Sequence, residues 1–153
     1  MDNQIAFTDI EALVAQMYAG QRCALKPYFY AVDFVAFTSG SSQTGVLKLN
    51  ANTDFLLTEL RWGTTQVAED TNEATLQIVD SGSNERFFDN PVLLGGVCTT
   101  GNKPRALAVP RRISGNATLT IAITNGVGSD TMPAGQLVFC GVNVYVYSQN
   151  SGG

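Results

Sequence analysis

The residues able to do chemistry in this chain are few, and their spacing matches no reaction. Histidine is absent. That removes the commonest general base and metal ligand, and with them every Ser-His-Asp or Cys-His arrangement. Carboxylates gather in two places: Glu69, Asp70 and Glu73, and Glu85 with Asp89 around Arg86, Phe87 and Phe88. Glycosidase work needs two carboxyls about 5 to 9 Å apart across a sugar. Neither group fixes such a pair, and both read as solvated loops. Asp80 to Glu85 is rich in oxygen side chains, but the D-x-[DN]-x-[DN]-G order of a calcium loop is not met. An Asx turn accounts for it better. Cys23, Cys98 and Cys140 are odd in number and far apart, so neither a disulfide framework nor a zinc site is expected. Cys140 lies in an apolar run and reads as a small core residue. The chain is expected to have no catalytic residue, no metal and no cofactor.

Lys103, Arg105, Arg111 and Arg112 form the densest basic stretch. A net charge of −4 argues against non-specific binding of nucleic acid. The stretch reads either as a solubilising surface or as a contact between subunits, with the acidic residues 69–73 as its electrostatic partner. Tyr28, Tyr30 and Trp62 are candidates for stacking on a sugar, as in a lectin. Their strand-period positions favour core or interface instead. Asn116-Ala117-Thr118 fits a glycosylation sequon. No secretory signal is recognisable at Met1–Gln4, so the sequon is set aside and folding in a cytoplasm is expected. No apolar run approaches a transmembrane helix, and no membrane partner is expected.

These residues must be carried by some scaffold, and 153 residues suit one domain with its own core. Apolar residues make up 44% and charged residues only 14%, against about 25% charged in a typical soluble domain. Thr, Ser, Asn, Gln and Gly replace the missing charge, as suits a chain packed against other copies or a larger assembly.

One helical signal stands out. Thr8-Asp9-Ile10-Glu11 matches a capping box. Ile10, Leu13, Val14, Met17 and Tyr18 then recur at helical spacing, and Gly20 is a plausible stop. A helix of three turns is marginal alone, so it must pack on its own sandwich or on a neighbouring subunit. Those five apolar residues, with Lys103, Arg105, Arg111 and Arg112, are the candidate partner interface.

The remaining chain reads as strands. Pro27 ends a connection, and Tyr28–Phe37 is aromatic and β-branched. Short runs follow at Gly45–Leu49, Asp54–Trp62, Ala74–Val79, Arg86–Phe88 and Val92–Leu94. In Asp54–Trp62 the set Leu56, Thr58, Leu60 and Trp62 is expected to face the core. Gly95–Arg105 reads as loop, and Ala106–Val109 as a strand cut by Pro110. Thr118–Thr124 alternates cleanly, with Leu119, Ile121 and Ile123 on one face. Asn125-Gly126 is a turn signal. The run Gln136–Tyr147 is apolar on both faces, as in a strand buried mid-sheet. The expected fold is all-β: a single jelly-roll-like antiparallel β-sandwich of about eight strands with one short N-terminal amphipathic helix. The expected division is an arm with the helix at 1–22, the sandwich at 23–148, and a flexible tail at 149–153.

From Asp54 onward the segments D-F-L-L-T-E-L, L-Q-I-V-D-S-G-S, F-F-D-N-P-V-L-L, P-R-R-I-S-G-N-A-T-L-T-I-A-I-T-N and L-V-F-C-G-V-N-V-Y resemble jelly-roll head decoration (cement) and minor structural proteins of tailed bacteriophages. The resemblance covers roughly the last hundred residues, and it carries no functional-residue motif. It implies a non-enzymatic virion protein on the capsid surface, assembled in the host cytoplasm. Its partners would be the major capsid protein, whose neighbouring subunits it bridges, and itself as homodimer or homotrimer. The alternative reading is a carbohydrate-binding jelly roll of a phage fibre or surface protein.

Overall fold

The computed structural model describes residues 7–19, 21–64, 74–100, 106–128 and 130–147. Helix α1 (Phe7–Met17) precedes strands β1 (Arg22–Phe34), β2 (Ser42–Lys48), β3 (Asp54–Thr64), β4 (Thr75–Asp80), β5 (Glu85–Arg86) and β6 (Val92–Leu93). A single turn of helix, α2 (Leu94–Val97), leads to β7 (Thr99–Thr100), β8 (Ala106–Ile113), β9 (Thr118–Thr124) and β10 (Gly135–Tyr147).

The strands form two sheets. In the first, β1, β10 and β3 lie side by side, with β7 and β8 on the far side of β3. In the second, β2, β9 and β4 lie side by side, with β5 and β6 beyond β4. Successive long strands therefore alternate between sheets, and the last strand returns between the first and third. That is the double Greek key of a jelly roll. All pairings are antiparallel except the short β3–β7 contact.

Strand alternation fills the space between the sheets. Leu119, Ile121 and Ile123 of β9 are fully buried and meet Leu76 and Ile78 of β4 and Leu137 and Phe139 of β10. Tyr30, Val32 and Phe34 of β1 complete the core beside Phe55 and Trp62. Gly45 of β2 makes room for β1: a Cβ there would lie 2.6 Å from Val32 Cγ1 and 3.1 Å from the Phe34 ring.

A bulge explains why β3 resists a simple period of two, and a helix explains why β10 is apolar on both faces. The pairing of β10 with β3 slips between Cys140 and Gly141, opposite Thr58 of β3. An extra residue on one strand reverses the faces beyond it. On β3 the core therefore takes Phe55 and Leu57 before the bulge, then Leu60 and Trp62 after it. Leu56 faces the other way, into the helix-covered cluster. This corrects the expected core set Leu56, Thr58, Leu60 and Trp62. On β10, Leu137 and Phe139 face the sandwich core, whereas Val142 and Val144 face the helix. Both faces are buried here because α1 roofs one half of the outer side.

Three further boundaries differ from the sequence reading. Pro27 lies inside β1 rather than before it. It is tolerated because β1 is an edge strand and needs no donor on its free side. Pro110 lies within β8, which among the described residues likewise pairs only with β3. Gly95–Arg105, expected as loop, holds part of α2 and all of β7 before the described residues break off at 100.

Candidate functional site

The helix and one of the basic residues, Arg112, meet on one carboxylate. Ile10, Val14 and Tyr18 are buried against Leu56, Val142 and Val144 of the chain's own sheet. Leu13 and Met17 pack half-buried at the rim, with Cys23 and Leu25. Of the two placements open to the helix, the chain thus shows it on its own sandwich. The five candidate interface residues are oriented towards that sheet or its margin. Phe7, the first described residue, is already helical, ahead of the Thr8 cap that the capping box predicts; the side chains of Phe7 and Thr8, and Gly20, lie outside the described residues.

Asp54, the first residue of β3, fastens this arrangement. Its Oδ2 accepts the Tyr18 hydroxyl at 2.5 Å and Arg112 Nε and Nη2 at 3.1 and 2.9 Å. Its Oδ1 accepts the Gly115 amide at 2.9 Å. The Arg112 guanidinium also lies over the Tyr18 ring, 4.8 Å from its centroid. Burial by itself would raise the Asp54 carboxyl. The hydrogen bonds from Tyr18, Gly115 and Arg112, with the charge of Arg112, outweigh it and hold the group below the usual carboxylate range. Burial, followed by the bond to Asp54, pushes the Tyr18 phenol well above its usual range. Burial by itself would lower Arg112, and the bond to Asp54 with the neighbouring Tyr18 outweighs it and raises the group.

Arg111 is the preceding residue on β8 and points to the opposite side. Its Nη2 bonds Glu85 Oε1 of β5 at 2.8 Å, and its guanidinium lies over Phe87, 4.1 Å from the ring centroid. One strand therefore sends one arginine to the helix and the next across to the second sheet. The partners of Arg111 and Arg112 are Glu85 and Asp54 of the same chain. Lys103, Arg105 and the acidic stretch 69–73 lie outside the described residues.

The outer face of the first sheet holds a third charged group. Glu59 is buried and pairs with Arg61 at 3.3 Å, and it accepts a hydrogen bond from Thr99. A groove of about 590 Å³ runs past Asp33, Arg61, Gln136 and Val138. Its charged walls are already paired: Gln136 Nε2 donates to Asp33 Oδ1 at 2.8 Å, and Arg61 is held by Glu59. Phe29 and Ala31 of β1 are exposed beside this groove. Cys140, expected in the core, is buried on this same outer face opposite Glu59 and Phe29; Cys98 is the cysteine in the central core. Burial pushes the thiols up, to about 12 for Cys98 and about 11 for Cys140, away from thiolate reactivity. All three cysteines are free.

The outer face of the second sheet has a different character. Register sets it out in rows: Ser42, Thr124 and Thr75; Thr44, Ala122 and Gln77; Val46, Thr120 and Val79; then Lys48 beside Thr118. No carboxylate stands in these rows. Ser42 and Thr124 share a hydroxyl contact at 2.7 Å, and Lys48 Nζ reaches the Asn116 carbonyl at 2.8 Å.

The remaining candidates separate. Trp62 and Tyr30 are in the core, and only Tyr28 of the three aromatics is exposed, so they share no solvent-facing platform. The Asp80 loop is an Asx turn, with Gly82 N donating to Asp80 Oδ1 at 3.0 Å. Among the described residues, no three of His, Cys, Asp and Glu are grouped to hold a metal. No helix there is long and apolar enough to cross a membrane. Asn125 was legible only as a turn residue. It is buried, and its Nδ2 donates to the carbonyls of Phe37, Thr38 and Asp130, so it ties two connections together.

No protein-family model and no curated protein matches this chain. Among solved structures, the structure of infectious bursal disease virus Gt strain is similar over 82% of this chain at 14% identity and a TM-score of 0.29. This chain spans 37% of the length of that one.

Proposed function

We propose that this chain is a non-enzymatic structural protein of a virion, a decoration or cement protein that binds the outside of a phage head and bridges neighbouring major capsid subunits. The observation that carries this reading is where the charges go. Asp54, Glu59, Glu85, Arg61, Arg111 and Arg112 are all engaged in fastening helix to sheet, strand to strand or sheet to sheet. Among the described residues, the hydroxyl-rich rows of the second sheet and the Phe29 side of the first offer a partner broad strand surface with few charges. Such surfaces act by area and repetition. A standard interface of about 800 Å² per partner, repeated around a shell, stabilises it through multivalency. The jelly-roll strand order is shared by viral capsid domains and by lectins, so it fits this reading without deciding it. The resemblance of the chain from Asp54 onward to phage decoration proteins adds the location on the head.

The carbohydrate-binding alternative would use an aromatic platform, and burial of Trp62 and Tyr30 speaks against the one available from sequence. The test is sedimentation of purified protein with heads assembled from a phage major capsid protein. Co-sedimentation at a saturable ratio supports the proposal. Protein that stays in the supernatant at saturating concentration refutes it.

A further inference from the structure

We propose that the free edge of β1 is a strand-addition site, at which Phe29, Ala31 and Asp33 take a short extended segment of a partner protein that carries a basic and an apolar residue on one side. Pro27 fixes which way the backbone of β1 points. It pairs with Val142 of β10 inside an unbroken run of partners from Arg22 to Phe34. A proline has no N–H, so it leaves that ladder whole only where its nitrogen faces away from β10. Backbone groups alternate in direction along an antiparallel strand. Phe29, Ala31 and Asp33 share the orientation of Pro27, and their N–H and C=O groups face the free edge.

This open row is bounded at both ends. At one end Pro27 offers no donor. At the other, Gln43 of β2 occupies both backbone groups of Val35: its Oε1 accepts the Val35 N–H at 3.2 Å, and its Nε2 donates to the Val35 carbonyl at 2.8 Å. Between them stand the three N–H and three C=O groups of Phe29, Ala31 and Asp33, with no partner among the described residues. All three residues are exposed, Phe29 by 62%. Donors and acceptors set out along an extended backbone are matched by another extended backbone.

Side chains state what that backbone carries. Phe29, Ala31 and Asp33 stand together on the outer face of the sheet. Asp33 receives the Gln136 amide but pairs with no cation. An incoming antiparallel strand sets its own residues directly opposite these three. A Lys or Arg opposite Asp33 and a β-branched residue opposite Phe29 match both. A second copy of β1 fits poorly: centred on Ala31, it would bring its Pro27 opposite Val35, where Gln43 already lies. The occupant is therefore a separate short segment. Three pairing positions span about five residues, so the affinity is modest, with a Kd between about 10 µM and 1 mM.

The experiment titrates the blocked peptide acetyl-Lys-Thr-Val-Thr-Val-amide into the whole isotope-labelled chain, read by amide chemical shifts. Saturable shifts concentrated in residues 28–34 are expected. N-methylation of the central valine, whose N–H faces Ala31, should weaken binding tenfold or more. N-methylation of the threonine after it, whose N–H faces solvent, should leave binding intact. Asp33→Lys should weaken binding tenfold or more, and a peptide with Glu in place of Lys should restore it. Ala31→Pro removes a donor from the edge and none from the β10 ladder, and should abolish binding with circular dichroism unchanged. The pair of N-methyl peptides needs no variant of the chain. No shift with peptide up to about 5 mM, or two N-methyl peptides that bind alike, overturns the inference. The site stands apart from the capsid proposal. A chain that binds the peptide but no heads sinks that proposal alone, and one that binds heads but no peptide sinks this inference alone.

Discussion

The Tyr18 hydroxyl donates to Asp54 Oδ2 at 2.5 Å, joining the end of the N-terminal helix to the start of β3 across 36 positions of sequence. Tyr18→Phe keeps the ring under Arg112 and removes only this bond. Hydrogen bonds to charged groups contribute about 1.5–3 kcal/mol, and Asp54 retains three other donors, so a loss near the lower end is expected. A lower urea midpoint with an unchanged m-value is the signature; an unchanged midpoint would show that the bond is not formed in solution.

The same pair predicts the pH profile. In the folded chain the Asp54 carboxyl is held below its usual range, whereas unfolded it titrates near about 3.9. Between those values the unfolded chain binds more protons, so this contribution is present above about pH 5 and is lost as pH falls through the folded value. Tyr18 behaves in the opposite sense. Its folded phenol is raised, so its contribution is present below about pH 10 and is lost as pH rises further. Urea midpoints measured across pH should show Asp54→Asn flattening the acid limb and Tyr18→Phe the alkaline limb.

Arg111 and Arg112 are neighbours with unequal weight. Arg111 meets a Glu85 side chain that is 65% exposed, and such pairs contribute at most about 1 kcal/mol. Arg112 makes two bonds to a more buried carboxylate and covers the Tyr18 ring. Arg112→Ala should therefore lower the melting temperature more than Arg111→Ala does, and only Arg112→Ala should loosen the helix, seen as faster amide exchange in residues 9–18. Equal effects would contradict the division of roles.

Gly141 allows the close passage of β10 over β3. A Cβ at this position would lie 2.1 Å from the Leu56 carbonyl oxygen and 2.9 Å from the buried Phe55 ring, and the Leu56 backbone has little room to give. Gly141→Ala should cost about 3 kcal/mol or more, at or above the upper end of overpacked-core substitutions. Thermal unfolding of the variant tests this; a wild-type midpoint would mean that the bulge repacks freely.

Helix docking can be broken without touching the clamp. Val14→Asp puts a charge against Leu56, Val142 and Val144 and should undock α1, exposing that cluster to a hydrophobic dye and the chain near Ala19 to protease. Retained protection at both would contradict the packing described.

Much of this architecture was legible in the sequence. Thr118–Thr124 showed its buried face through strict alternation, and Ile10, Val14 and Tyr18 declared an apolar helix face. The bulge at Thr58 was not legible, because nothing in D-F-L-L-T-E-L-R-W marks the residue that will be left out of register. The face assignment of Leu56, Phe55 and Leu57 failed there for that reason. Asn125 hid behind a turn signal, since burial and not residue type gives it three carbonyl partners. The roles of Arg111 and Arg112 depended on Asp54 and Glu85, which are distant in sequence and become neighbours only through strand order. The hydroxyl rows of the second sheet likewise exist only once β2, β9 and β4 are side by side.

The central claim is attachment to an assembled head. Purified chain mixed with heads lacking it, then pelleted and counted by cryo-electron microscopy, should decorate symmetry-related sites on the outer surface at a fixed copy number and raise the temperature at which the heads open. Bare heads with an unchanged opening temperature, at protein concentrations well above those of the binding assay, would contradict the account.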